Sequence, residues 1–247
     1  MTKGTGLGNR LYVAGYDISG DVGAISNAST PRGVQDITGI DKSAHERLLL
    51  NSSGELGFDS FWNEASDQIH DVLSSLPTTD RQAIYARSAT TRGGAGLAMG
   101  CKQIDYNWNR PADGTLTGTT QLLSSDGFAP AWGEMIAMKE TIASAGNLDG
   151  FVDAGGAQTT AGVVAYLQIF TLGSGTPTVI LEDSSDTTDG TDGTWSTVGT
   201  FTIQSARSTE RITASGNVEK GLRLRASGTF TNLVVACLVR RGTAQDD

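Results

Sequence analysis

Residues 180–198, ILEDSSDTTDGTDGTWSTV, gather Glu182, Asp183, Asp186, Asp189 and Asp192 within eleven positions. Carboxylates set among glycines supply the hard oxygen ligands a calcium ion takes, so Asp183, Asp186, Asp189 and Asp192 are the candidate metal ligands of the chain. Their spacing argues against that use. An EF-hand loop needs ligands at positions 1, 3, 5 and 12 with Gly at 6. Here the acids at 186, 189 and 192 recur every third residue, and position 12 counted from Asp186 is Thr197. Both flanks, TVILED and TWSTVGTF, read as strands, and the two Asp-Gly pairs between them are turn chemistry. The expectation is a solvated hairpin tip without a metal.

Nucleophilic catalysis needs a base beside the nucleophile. His45 and His70 are the only histidines. His45 lies in DKSAHER, which reads as a solvated loop, and His70 sits on a helix face next to Ile69, three residues after Asp67. No GxSxG, HExxH or P-loop occurs. GTGLGNR carries Gly4, Gly6 and Gly8 ahead of the first strand, whereas a phosphate loop follows a strand and opens a helix, so this is read as an N-terminal arm. Paired carboxylates of the glycosidase kind meet only in three dimensions, and among 27 acidic residues a pair carries no signal. Trp62, Trp108, Trp132 and Trp195 could stack on sugar rings, but four tryptophans spread over the chain read more simply as core or interface anchors. Cys101 and Cys237 have no metal or redox spacing and read as two free, half-buried thiols of a chain made in a reducing cytoplasm. The expectation is a soluble protein that is not an enzyme and takes no cofactor.

The elements that must position these residues are mostly strands. Thirty-two glycines against five prolines point to many tight turns. RLYVAGYDIS (10–19) alternates, and residues 20–46 then run without periodicity, a length that marks a functional loop more often than a passive connector. Within it GVQDITGI allows a short strand. ERLLLNSSGELGFDSFWN reads as a hairpin turning at NSSG. NEASDQIHDVLSSLP (63–77) is the one helix, with Ile69, Val72, Leu73 and Leu76 on a single stripe, Asn63 or Ser66 as cap and Pro77 as stop. Strands follow at RQAIYARS, GAGLAMGCKQIDYNW and GTLTGTTQLLSS, while APAWGEMIAMKETIAS fits either strand or helix. A Gly/Ala/Thr-rich stretch at 143–162 suggests a boundary, giving domains 1–147 and 148–247. Six strands come after it at regular spacing, the pattern of a sandwich or jelly roll. In LRLR, Leu222 and Leu224 are expected to face a core and Arg223 and Arg225 water; LVVACLV, apolar on both faces, is expected to be a central strand. The fold class is therefore mainly β.

The charge is acidic throughout: 11 Lys+Arg against 16 Asp+Glu in residues 1–147, and 7 against 11 in 148–247, which sum to the net −9. Such a surface disfavours a grip on phosphates, and it suits a duct that must pass DNA without holding it. No run is long enough to cross a bilayer.

Two stretches carry a family resemblance. LYVAGYDISGDVGAIS, VQDITGIDKSAHERLLL and GELGFDSFWNEASDQIHDVLSSLPTTDR resemble the opening of major tail proteins of long-tailed, non-contractile bacteriophages. AYLQIFTLGSGTPTVILEDSSD through GLRLRASGTFTNLVVACLVRR is similar to the β-rich region often fused to them. The resemblance implies an N-terminal tail-tube β-sandwich or barrel (1–147) with one flanking helix, and a C-terminal jelly-roll or Ig-like sandwich (148–247) as an outer decoration. It implies rings, usually of six copies, stacked into a DNA-conducting virion tail assembled in the host cytoplasm. The partners implied are further copies, other tail proteins and genomic DNA sliding through the lumen. The loop at about 24–46 would reach the next ring, making Asn27, Thr30, Arg32, Asp36, Asp41 and Lys42 candidate subunit contacts. A tail-terminator or baseplate role shares the same fold. The competing reading is a phage surface or capsid-decoration protein whose sandwich binds glycans.

Overall fold

The computed structural model describes residues 6–87, 92–148, 151–153, 158–202 and 206–242. Gly4 of the N-terminal arm and parts of the expected 143–162 boundary lie outside the described residues. The fold is mainly β, with one short helix.

Residues 1–147 contribute β1 (Arg10–Val13), β2 (Tyr16–Asp17), β3 (Val22–Ser29), β4 (Arg32–Asp36), β5 (Arg47–Ser52), β6 (Glu55–Phe61), α1 (Ile69–Leu73), β7 (Arg81–Ala86), β8 (Ala95–Gln103), β9 (Asn107–Asn109), β10 (Thr117–Ser124), β11 (Ala131–Ile142) and β12 (Gly146–Asn147). The remainder contributes β13 (Val152–Asp153), β14 (Val163–Thr171), β15 (Ser174–Gly175), β16 (Thr178–Ser184), β17 (Ser196–Phe201), β18 (Ser208–Ala214), β19 (Gly221–Ser227), β20 (Phe230–Thr231) and β21 (Leu233–Arg241). APAWGEMIAMKETIAS resolves as a strand, β11. It is broken by bulges after Met135 and Met138, with Lys139 at φ 62°.

One twelve-stranded sheet runs β18-β14-β21-β11-β8-β10-β6-β3, and hydrogen bonding therefore crosses the boundary expected at 147/148. β21 lies between β11 and β14, as its two apolar faces demand. At β8 the sheet forks: one edge takes β7 along 96–101, and the other takes β11 at 95–98 and β10 at 101–103. A second sheet, β12-β19-β16-β17, covers one face of β11, β21 and β14 through Val179, Leu181, Leu222 and Leu224. The opposite face of those strands packs on Tyr12, Ile84 and Ala98 through Tyr166, Phe170 and Leu238. A third cluster, including Leu11, Leu56, Phe58 and Leu122, buries α1.

The helix is shorter than its periodicity predicts. Asp67 (φ 67°) and Leu76 (φ 43°) interrupt it on either side, and Leu76 is left exposed. Neither Asn63 nor Ser66 caps it. Its first amide, Ile69 N–H, donates instead to Asp21 Oδ2 (3.1 Å), while Asn63 Nδ2 donates to Asp21 Oδ1 (2.8 Å). The cap comes from a turn 48 residues away, which helix-end rules applied to local sequence cannot reach.

The hairpin expected at NSSG does not form. β5 pairs with β4, and β6 lies between β3 and β10, placing Leu56 opposite both Ala28 and Leu122, and Phe58 opposite Ile25 and Thr120. Ser53 N–H donates to Pro31 O (2.8 Å) and closes the base of the β4–β5 ribbon. Gly54 then turns inward where a Cβ would lie 2.8–2.9 Å from Met99 and Pro130.

Gly15, in the GYDISGD turn, shows how tightly the layers are tied. Its φ is 81°, and its N–H donates to Oε1 of the fully buried Gln168 (2.6 Å), whose Nε2 donates to Gln82 O (3.0 Å). A Cβ here would meet Arg207 backbone and Ile169 O at 2.7–2.8 Å. A left-handed non-glycine residue costs about 1–2 kcal/mol and overpacking about 1–3 more, so Gly15→Ala is expected to lose roughly 2–5 kcal/mol in urea unfolding. An unchanged midpoint would show that the turn is not strained as described.

Both cysteines are free and fully buried, more so than their sequence context predicts, on β8 and β21 in different core clusters. Burial pushes the Cys101 thiol up to about 12 and raises Cys237 further, so both stay protonated near neutrality.

Candidate functional site

Residues 31–53 hold the feature that the rest of the fold does not explain. Every residue of β4 is exposed, and in β5 only Ser52 is partly covered. Of the large apolar side chains left exposed among the described residues, six lie here: Val34, Ile37, Ile40, Leu48, Leu49 and Leu50. Ile40, in the loop joining the two strands, is as accessible as in an open chain, at 109%. Directly opposed residues share a face, so Val34 with Leu49 stands on one side of the ribbon and Leu48, opposite Gln35, on the other. Both faces are thus apolar and uncovered. A lone two-stranded ribbon is marginal in water, and a monomer gains nothing from apolar residues on both of its sides.

The tip is nevertheless ordered. The Asp36 carboxylate accepts Thr38 N–H (2.9 Å), the Thr38 hydroxyl and the His45 ring (3.0 Å). Thr38 Oγ1 accepts Glu46 N–H (2.9 Å), and Ile37 N–H donates to Glu46 O (3.0 Å). Donation from the Thr38 hydroxyl and amide, with His45 adding to it, holds the Asp36 carboxyl below its ordinary value. His45 therefore helps to close the loop. Of the other candidate contacts, Lys42 bridges Asp41 (4.0 Å) and Glu46 (3.5 Å) on the tip. Arg32 stands at the base opposite Ser52. Thr30 links β3 to β4, and Asn27, within β3, donates to Glu55 Oε2 (2.8 Å). The structure thus separates Asn27 from the ribbon and groups Asp36, Asp41 and Lys42 at its tip. Sequence reasoning marked the segment by its length but missed Leu48, Leu49 and Leu50, which it assigned to a hairpin with β6.

Beside the ribbon, the solvent side of β3, β6, β10 and β9 has a distinct composition. Registered neighbours place Ala24, Asn27, Ser29, Glu55, Asp59, Thr119, Gln121, Asn107 and Asn109 on one face. These four strands also place Phe61, half exposed, with Thr117 and Leu123 on that face; they carry two carboxylates and no cation there, and Lys102 of β8 stands at the margin opposite Leu123. Among the described residues β3 forms an edge of the sheet and pairs only with β6. Its outer row of amides and carbonyls is the kind of edge that another chain completes.

The acidic residues of 182–192 are used internally. Asp186 Oδ1 accepts Thr194 N–H (2.7 Å) and the Ser184 hydroxyl (2.8 Å). Asp189 Oδ1 accepts the amides of Thr191 (2.8 Å) and Asp192 (3.0 Å). Asp192 accepts Thr188 N–H (2.8 Å) and the hydroxyls of Thr187 (2.8 Å) and Thr188 (2.6 Å). Asp183 is buried on β16 and accepts Glu219 N–H (2.8 Å); its burial raises the pKa. The four do not converge, and among the described residues no group of three or more His, Cys, Asp or Glu is placed to hold a metal ion. These bonds hold the carboxyls of Asp186, Asp189 and Asp192 below their ordinary value. Depressed carboxylates stabilise above their unfolded value and stop doing so as pH falls through the folded one. Amide protection of residues 188–194 is therefore expected to be constant above about pH 5 and to fall below about pH 4. Hydrogen exchange measures this, and protection that persists undiminished at pH 2 would contradict it.

Arg223 corrects the alternation read in LRLR. It is buried, its Nη2 2.9 Å from Glu182 Oε2, its Nη1 donating to Gly190 O (2.8 Å) and its guanidinium 3.8 Å from the Trp195 ring. A buried guanidinium needs a carboxylate, and Glu182 supplies one to both Arg223 and Arg225. Three of the four tryptophans are packed, as the anchor reading expects. Trp195 is covered by Arg223, and Trp62 and Trp108 pack edge to face at 4.9 Å around His70 and Tyr106, with His70 Nδ1 2.7 Å from the Tyr106 hydroxyl. Trp132 alone is substantially exposed, at 40%. Among the described residues no helix is long and apolar enough to cross a membrane.

No family model and no curated relative matches the chain. Among solved structures it is similar to a chain of the tail of an empty GTA particle with C6 symmetry: TM-score 0.38 and 14% identity over 53% of this chain and 98% of that one. It is also similar to the SPP1 Dit protein, a hub adsorption component of phages infecting Gram-positive hosts: TM-score 0.32 and 12% identity over 94% and 98%. A chain of the phage p2 baseplate gives 0.33 and 8% over 95% and 98%. At these scores and identities the backbones superpose too loosely for the likeness to fix a function.

Proposed function

We propose that this chain is a structural protein of a phage tail, the tail-tube subunit, many copies of which stack as rings around a DNA-conducting channel. The observation that carries the reading is the 31–53 ribbon, ordered at its tip, apolar on both faces and uncovered by its own subunit. A surface of that kind is an assembly contact. The resemblance of the GYDISGDV and DITGIDKSAHER stretches to tail proteins supports it independently, because the second of these builds the ribbon tip. The face of β3, β6 and β10 fits the lumen of a duct, since its two carboxylates amid hydroxyls and amides, with Lys102 at the margin paired to Asp80, give a polyanion little to hold. In this reading residues 148–247 form the outer part of the subunit, the protein resides in the virion tail after assembly in the host cytoplasm, and it performs no catalysis.

Electron microscopy of the purified protein tests the proposal. Stacked rings with an axial channel are expected as concentration rises. A strictly monomeric chain under all conditions overturns it. The competing glycan-binding reading has only Trp132 left as an exposed platform, and glycan binding abolished by Trp132→Ala would favour it instead.

A further inference from the structure

A groove of about 840 Å³ lies between the base of the ribbon, the 124–129 turn and the end of β18. Leu49, Leu50 and Phe128 give it an apolar lining, and Arg32 and Arg211 stand at its sides. Phe128 is half exposed, with the Arg211 guanidinium 3.7 Å over its ring. Asp126 lies on the same loop, its carboxylate accepting Phe128 N–H at 3.1 Å and lying within the field of Arg211. The ribbon tip offers the complement: apolar Ile37 and Ile40, flanked by the exposed carboxylates of Asp41 and Glu46 with Lys42 between them.

We propose that this groove receives the ribbon tip of a second copy, an inference that rests on the assembly reading above. A subunit's own tip cannot fill it. Strands rise about 3.3 Å per residue, so the five residues of β4 carry the tip roughly 17 Å away from the groove at the ribbon's base. Tip and groove are different surfaces of one chain, so their contact is heterologous. Contacts of that type propagate into rings or open stacks instead of closing as a twofold dimer. The groove thereby supplies the ribbon with a partner that every added copy presents again. Seating Ile40 against Phe128 removes exposed apolar area from both, and Asp41 or Glu46 comes beside Arg32.

Paired cysteines test the contact. The double variant Ile40→Cys with Ala129→Cys, assembled and then mildly oxidised, is expected to give a ladder of covalent oligomers on non-reducing gels, with neither single variant doing so. Native Cys101 and Cys237 are buried and do not compete. Assembled particles without a ladder overturn the groove while leaving the assembly reading standing; an unmodified chain that never assembles overturns both. If the double variant itself fails to assemble, Phe128→Asp decides. With its melting temperature unchanged, it is expected to raise the concentration needed for assembly about tenfold or more, as loss of one buried aromatic anchor does. Assembly at the unmodified concentration overturns the proposal.

Discussion

Replacing residues 33–50 with a short Gly/Ser link is expected to leave the subunit folded and to abolish its self-assembly. The expectation follows from where the ribbon's side chains are spent. No residue of 33–50 belongs to any of the three core clusters, and the ribbon's strands pair only with each other. Its base is already closed by the Ser53 N–H to Pro31 O bond, so a short link spans ends that lie together. Loop closure changes only slowly with length, which keeps the effect on stability to roughly 1 kcal/mol. Assembly, by contrast, loses all six exposed apolar side chains of the segment. Hot-spot residues at interfaces cost 2 kcal/mol or more apiece, so their joint loss is far beyond what a repeated contact tolerates. A melting temperature within a few degrees of the parent, with only monomer in sedimentation, is the expected pair of results. Stacked rings formed by the shortened chain would remove the ribbon from the mechanism.

How far the sequence alone reaches depends on whether the deciding interaction is local. LVVACLV reads as a central strand because both of its faces are apolar, and β21 is one, flanked on both edges. The acidic loop reads as a hairpin tip because strands flank it and Asp-Gly pairs fill it, and its carboxylates do accept neighbouring amides. The failures share one cause, a partner distant in sequence. Arg223 is buried because Glu182 lies across the β16–β19 pair, which alternation within LRLR cannot show. The helix takes its cap from Asp21, and so the local candidates Asn63 and Ser66 mislead. The LLL run of β5 looks like one arm of a hairpin, yet β6 is drawn to β3 and β10, which match its Leu56 and Phe58. The candidate site was legible as an overlong segment, while its apolar character became visible only once the strands were paired.

The second large effect concerns the boundary that composition places at 147/148. A chain ending at Asn147 is expected not to fold. Its β11 would lose β21, whose register runs from Glu134 opposite Val239 to Ile142 opposite Leu233. The layer containing Tyr12, Ile84 and Met135 would lose Val164, Tyr166, Phe170 and Leu238. At about 1.5–3 kcal/mol for each large buried side chain, those four alone contribute roughly 6–12 kcal/mol, comparable to the 5–15 kcal/mol that holds a whole domain together. The complementary fragment fares little better, because β21 would keep β14 but expose its other edge, and Val164, Tyr166, Phe170 and Leu238 would face water. Full-length protein should accordingly show one cooperative urea transition, with both fragments exchanging their amides rapidly when made alone. Two fragments that each unfold cooperatively, with amide protection in β11 retained by the first, would show that the shared sheet joins two independent domains after all.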